Sequence, residues 1–332
     1  MTSFLDQLRA GLAGWDLGGR RVLAAVSGGA DSVAMLLGLC ELKEEFQFEL
    51  TAAHLDHMLR GEDSAADAEW VKSLCERLEV PCVIEESDIS ASSKDSRTTL
   101  EESARKARYD FFERTALREG CTEIAVAHTS DDQAETVLHH IIRGSGLSGL
   151  RGIPRERILS PNLRIIRPLL DVRRTEIEKW LAGRGQKYRQ DETNANPTFT
   201  RNRLRHQLFP VLEADYNPQV VPALNRLAQQ AGDLEDALDQ LAEIYLQSAI
   251  LERTPNRCLL DCGPLSRLPL AVRRVCLTLL WKQQNWPRQR MSFAHWNDLA
   301  ELITKKRGAL TLPAGVTAKR RKEGLIVEWD AG

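Results

Sequence analysis

RVLAAVSGGADS, residues 21–32, joins an apolar segment to a helical one through a pair of glycines. Arg21–Val26 has the unbroken apolar character of a strand covered on both faces, and Asp31–Glu45 has the pattern of a helix. Between them stand Ser27, Gly28, Gly29, Ala30, Asp31 and Ser32. The glycines let the backbone curl until successive N–H groups point inward. The helix N-terminus adds unsatisfied donors and the positive end of its dipole, and the two serines add hydroxyls. The result is a nest for phosphate. It differs from G-x-x-x-x-G-K-[ST], because no lysine closes it, and from G-x-G-x-x-G. Asp31 would repel phosphate unless a magnesium ion lies between the charges. The plainer alternative is a glycine-rich turn in which Asp31 and Ser32 only cap the helix.

Strands and helices alternate beyond this turn. Glu49–His54, Cys82–Glu86, Glu123–Ala127 and Arg164–Pro168 read as further strands. Helices are expected at Ser64–Leu78, Leu100–Glu119, Asp131–Ile142 and Arg173–Ala182. Thr98 with Glu101, or Thr99 with Glu102, fits a capping box before the second of these, and Gly120 fits its stop. Such repeats predict an α/β fold, a doubly wound parallel sheet with ligands at the carboxyl ends of its strands. The second half differs. Leu224–Leu251 reads as a long acidic amphipathic helix, Leu270–Gln283 and Phe293–Lys305 as shorter ones. Leu310–Leu312, Val316–Lys319 and Leu325–Trp329 read as short strands. The boundary is placed at the Asp215–Pro218 turn, giving domains 1–213 and 214–332, the second smaller, mainly helical and ending in strands.

Composition narrows the class. Apolar residues make up 42% of the 332 and charged residues 28%, enough for a packed core. The longest apolar-rich run, Val33–Cys40, is too short to span a bilayer, and Met1–Arg21 has no signal-peptide character, so a cytoplasmic protein is expected. The seven cysteines (40, 75, 82, 121, 258, 262 and 276) contain no C-x-x-C pair, which argues against a disulfide framework or a cluster site. Net charge is −2, but 143–206 carries 15 Lys and Arg against 6 Asp and Glu, and 301–324 carries 7 against 2. Two basic regions in an otherwise acidic chain suit an anionic partner held at two places, or else solvated helix faces. The isoelectric point of about 6.4 argues against a non-specific nucleic-acid coat protein.

Further blocks add candidate chemistry. Asp132 and Glu135 are three apart on the first turns of a helix, so they share a face, and His128 precedes them at a strand end. Two carboxylates beside a phosphate site can share magnesium or hold an ammonium group. Asp131 and Asp132 can also simply complement the helix dipole. Arg105 and Arg108 lie on one helix face and can reach one polyphosphate, or pair with Glu101 and Glu102. His54 and Asp56 end the second strand, and His57 and Arg60 follow in its loop. Arg201, Asn202, Arg203 and Arg205 interleave in the manner of phosphate and base recognition. Tyr188 and Phe199 suit stacking on an unpaired base or core contacts, and the Gly/Ser loop from Arg143 to Leu150 suits a close backbone approach to RNA.

The S-G-G-x-D-S turn resembles the PP-loop, or N-type ATP pyrophosphatase, superfamily, whose fold is adenine nucleotide alpha hydrolase-like. Taken in order, 54–60 (HLDHMLR), 101–109 (EESARKARY), 128–136 (HTSDDQAET), 143–150 (RGSGLSGL), 166–170 (IRPLL), 191–194 (DETN) and 200–205 (TRNRLR) resemble the tRNA(Ile)-lysidine synthetase family. The likeness is dense over 20–210, with a fainter one at 310–329, and suggests a short form. It implies ATP and magnesium as cofactors, and tRNA(Ile) and free L-lysine as partners. A homodimer is compatible with it. It implies nucleotide contacts from Ser27–Ser32, His54, Asp56, Arg105 and Arg108, with Asp31 and Asp132 on the metal. Asp31, His128, Asp132 and Glu135 would be catalytic. Asp132, Glu135, Arg201, Asn202, Arg203 and Arg205 would face substrate. Rival readings are a tRNA thiolase of the same superfamily, a small-molecule adenylating synthetase, and a nucleotide-gated RNA-binding module.

Overall fold

The computed structural model describes residues 3–56, 62–87, 100–189 and 200–330. His57, Arg60, Thr98, Thr99, Asp191–Asn194 and Phe199 lie outside them. The chain divides into two compact units, Met1–Gln229 and Gln230–Gly332. The division falls inside a continuous helix, later in the chain than the turn at 215–218 where the sequence suggests a boundary.

In the first unit, six strands form one sheet in the order β3-β2-β1-β4-β6-β5. They are β1 (Arg21–Ala25), β2 (Glu49–Asp56), β3 (Cys82–Glu86), β4 (Glu123–Ala125), β5 (Glu156–Ser160) and β6 (Leu163–Ile166). All neighbours are parallel except β5, which closes the edge antiparallel to β6. Beyond Arg21 every residue of β1 is buried, because helices cover both faces of a parallel sheet. The helices are α1 (Phe4–Leu12), α2 (Ala30–Phe46), α3 (Glu62–Arg77), α4 (Leu100–Arg118), α5 (Ser130–Ile142), α6 (Leu147–Leu150) and α7 (Arg174–Gly183). A helical stretch, 200–216, follows with wider π turns at Leu204–Leu208 and Leu212–Tyr216. Strand order reverses between β1 and β4, so the carboxyl ends of these two strands flank the crevice where such sheets bind ligands.

The helix α1 and the edge strand β5 are among the elements of the first unit that go beyond the sequence expectation. The helix α1 is short, and burial of Phe4, Leu8 and Leu12 on one face stabilises it. The edge strand β5 carries exposed Glu156, Arg157 and Ile158, so it lacks the apolar alternation of a covered strand.

The second unit contains most of α8 (Val220–Ala249), with α9 (Cys262–Ser266), α10 (Leu270–Gln284) and α11 (Phe293–Leu302). Its sheet has the order β7-β8-β11-β10-β9, built from Ile250–Thr254, Arg257–Leu260, Gly308–Thr311, Val316–Arg321 and Gly324–Trp329 in chain order. The last three are the short strands expected; β7 begins where the sequence suggests the end of the long helix, and β8 lies in a stretch to which the sequence reading assigns no element. Trp281 lies fully buried, edge-on to Trp286 and Trp296. Among the described residues no helix is long and apolar enough to cross a membrane.

Candidate active site

The turn after β1 has the geometry of an anion nest. Gly28 sits at φ +88°, a conformation that L side chains rarely adopt. Ser32 Oγ accepts from the Ser27 backbone N–H (3.1 Å) and donates to the Gly29 carbonyl (2.9 Å), which pins the curl. Gly29 is the N-cap of α2 and has no side chain to close that end, so the first-turn donors face the crevice. The turn is braced from both sides. Buried His54 contacts the Val26 carbonyl through Nδ1 (2.8 Å), and Arg189 N–H donates to the Gly28 carbonyl (2.9 Å). His54 therefore supports the turn from beneath, and Asp56 is buried at the end of β2.

Across the crevice α5 begins at the end of β4. Its N-cap is Thr129, whose hydroxyl and backbone N–H both bond Asp132 Oδ2. Asp132 thus serves the capping box with one oxygen and presents the other to the site. Asp31, Asp132 and Glu135 come together through arginines. Arg174 donates to Asp31 Oδ2 (2.8 Å), and the same nitrogen lies 3.6 Å from Asp132 Oδ1. Arg205 bonds Asp132 Oδ1 (2.9 Å) and grips both oxygens of buried Glu135 (2.6 and 2.9 Å). Arg201 adds a contact to Glu135 at 3.3 Å. Arg201 and Arg205 therefore face the carboxylates, while Arg203 is exposed and Asn202 half-buried.

Environment separates the two aspartates. Burial raises the Asp31 pKa above its usual value, although Arg174 opposes it. Burial also works against the Asp132 charge, but Arg174 and Arg205 outweigh it and hold that carboxyl below the usual range. A cation already stands between them, on oxygens of the hard type that magnesium prefers, so the pair fits that ion.

His128 lies at the rim of this row. Arg167 donates to its Nδ1 (3.3 Å), which leaves the ring proton on Nε2. Burial pushes its pKa down to about 4; Asp132 opposes the shift, and Arg167, Arg105 and Arg201 reinforce it. A histidine with a depressed folded pKa loses stability as pH falls, because the unfolded chain takes the proton first. His128 is therefore expected to lower the melting temperature between about pH 6.5 and pH 4, and His128→Gln to flatten that decline. Thermal melts of both proteins across this range check it; parallel curves would show that His128 carries no such shift.

Arg105 and Arg108 are exposed on α4, with Arg105 over the Tyr109 ring at 5.1 Å. Tyr188 is half-buried against the core under the sheet, so it takes the packing role. The Gly/Ser loop is tied to α5: His140 Nδ1 contacts the Gly149 carbonyl (2.6 Å), and Gln133 bonds Arg151 and Ile153.

Arg173 and Arg174 are site residues that sequence reasoning misses. A signal for them exists: basic residues at a helix N-terminus oppose its dipole and need facing anions. Here Arg173 pairs with Asp131 (3.1 Å) and Glu213, and the Arg174 backbone N–H donates to Asp131 (2.8 Å).

Comparison with known proteins agrees with this geometry. A family model described as a PP-loop domain matches residues 3–212. The tRNA(Ile)-lysidine synthase of Rhodopirellula baltica is 33% identical over 91% of the chain and 84% of its own length. That of Geobacillus kaustophilus is 32% identical over 94% of the chain and 68% of its own length. That of a Thermotoga species is 39% identical over 69% of the chain, which spans about half (54%) of that relative. A solved U34-tRNA thiolase from Methanococcus maripaludis shares the fold, with a TM-score of 0.57, 18% identity and coverage of 68% of this chain and 77% of that one. On the domain match and these relatives together, the chain belongs to the tRNA(Ile)-lysidine synthase family.

Proposed function

We propose that the chain uses ATP to join free lysine to carbon 2 of the wobble cytidine of a tRNA(Ile) with a CAU anticodon, releasing AMP and pyrophosphate. The observation that carries this reading is the phosphate nest of Ser27–Ser32 facing the Asp31, Asp132 and Glu135 carboxylates across the sheet's switch point. In the first step the cytidine 2-oxygen bonds to the α-phosphorus and the α–β anhydride breaks. The nest and the first turn of α2 stabilise the departing pyrophosphate through backbone N–H groups. Asp31 and Asp132 would hold magnesium, which supplies charge neutralisation at the phosphates. In the second step the lysine ε-amine bonds to carbon 2 and the bond to the adenylate oxygen breaks. The amine must first lose a proton, since its ordinary pKa is about 10.4. Burial destabilises the charged form of His128, which weakens it as a proton acceptor.

The second unit suits the tRNA body. Pairing of β9 with β10 sets Lys319 opposite Ala309, and so brings 305–307 beside 319–322. Lys305, Lys306, Arg307, Lys319, Arg321 and Lys322 are exposed, with no carboxylate partner among the described residues. Arg320 is different: it donates to the Ile303 and Gly324 carbonyls and is structural. Changing Lys306, Lys319 and Lys322 together to Gln is expected to weaken tRNA binding. It should also flatten the slope of log affinity against log salt, by roughly one unit for each phosphate no longer neutralised. Filter binding across a salt series checks this; an unchanged slope would place the tRNA elsewhere.

The reaction itself is tested by incubating the chain with ATP, single amino acids and bulk tRNA, then digesting and weighing the nucleosides. A cytidine heavier by one lysine less one water, with lysine alone, is expected. A sulfur increment, or pyrophosphate release without any nucleoside change, would sink the reading. ATP, lysine and tRNA meet in the cytoplasm, and we infer that location.

A further inference from the structure

Asp31, Arg174, Asp132, Arg205, Glu135 and Arg201 form a row of alternating charge. Its formal charges cancel. One end nitrogen of Arg174 lies 2.8 Å from Asp31 and 3.6 Å from Asp132, between carboxylates from two separate helices. The residue opens α7, a position where a cation is unfavourable by itself. Arg174 therefore occupies the place that a divalent cation would take.

From this geometry we infer that Arg174 is a resident counter-cation, which reserves the Asp31–Asp132 pair for a metal arriving with nucleotide. The inference rests on the phosphate-nest reading above. A bare divalent cation would add two positive charges to a balanced row and would have to displace a guanidinium with nowhere to go. A metal–polyphosphate complex brings net negative charge. The carboxylates then pass to the metal, and the guanidinium turns to phosphate oxygens beside the nest. Arg174 is thus a positioning residue that makes metal binding conditional on ATP.

The test is equilibrium dialysis of the full chain against Mn²⁺, with and without a non-hydrolysable ATP analogue. The unaltered chain is expected to bind Mn²⁺ at least roughly tenfold more tightly when the analogue is present. Arg174→Gln is expected to bind Mn²⁺ alone about tenfold more tightly than the unaltered chain, and so to lose most of that dependence. Arg174→Lys keeps the charge and is expected to behave like the unaltered chain. Tight Mn²⁺ binding by the nucleotide-free unaltered chain would overturn the inference without any variant. So would an Arg174→Gln protein, folded by circular dichroism, that gains nothing. A chain that shows this metal behaviour but makes no lysine adduct would count against the proposed reaction and leave the role of Arg174 standing.

Discussion

Asp31→Ala is expected to lower ATP-dependent pyrophosphate release by about 10²–10³-fold or more, the scale of a lost electrostatic element at a reacting phosphate. The same substitution is expected to leave the melting temperature unchanged or raised. These two effects follow from one observation. Burial raises the Asp31 pKa even though Arg174 bonds the carboxylate, so the folded protein holds this charge at a net cost near neutral pH. Removing it relieves that cost. Arg174 still has Asp132 at 3.6 Å, so no guanidinium is left without an anion. An acid that burdens the fold and sits in a phosphate nest has its explanation in function. Asp31→Asn, which keeps the shape without the charge, should match Ala in activity. Pyrophosphate release and thermal melts measure the two effects. Near-normal turnover at ordinary magnesium would refute the role. A melting temperature lower by more than about 3 °C, roughly 1 kcal/mol for a chain of this size, would refute the cost.

The parts of this site that can be read in the sequence are those where backbone geometry leaves a local mark. The nest of Ser27–Ser32 needs glycine at φ +88° and a helix beginning at once, and both conditions are visible in six residues. Asp132 and Glu135 announce a shared face by their spacing of three. What is not legible is pairing across long separations. Arg174 meets Asp31 from 143 positions away, and Arg205 meets Glu135 from 70, and no local pattern specifies such partners. The Arg201–Arg205 block shows the consequence. Interleaved arginines suggest a nucleic-acid surface when read alone, yet two of them point at buried carboxylates. Composition identifies them as anion-seeking, and only the fold says which anions they meet. The same limit applies to β5 and β7. An edge strand has one unpaired side and tolerates charge, so its sequence carries little of the period-two pattern that marks a covered strand.

Glu135→Ala is expected to separate the two chemical steps. Its carboxylate is buried and held by Arg205 through both oxygens, with Arg201 alongside, so it lies at the far end of the row from the nest. On the proposed reading adenylation draws on the nest and on the Asp31–Asp132 end, and should survive. Lysine brings two ammonium groups, and a buried carboxylate among arginines is a suitable receptor once one guanidinium moves to phosphate. Loss of a charge-assisted bond to a buried group costs about 1.5–3 kcal/mol, so the lysine requirement should rise roughly ten- to a hundredfold. A competing account gives Glu135 only the task of bracing Arg205, which in turn braces Asp132 at 2.9 Å. Under that account adenylation itself falls and added lysine does not rescue it. Trapping adenylated tRNA from labelled ATP in the absence of lysine distinguishes the two. Glu135→Gln sharpens the comparison, because it keeps an acceptor for one arginine while removing the charge an ammonium would seek. If both variants accumulate adenylated tRNA and need more lysine to discharge it, Glu135 belongs to the second step. If neither makes adenylated tRNA at any magnesium concentration, the assignment to lysine is wrong and the carboxylate serves the first step instead.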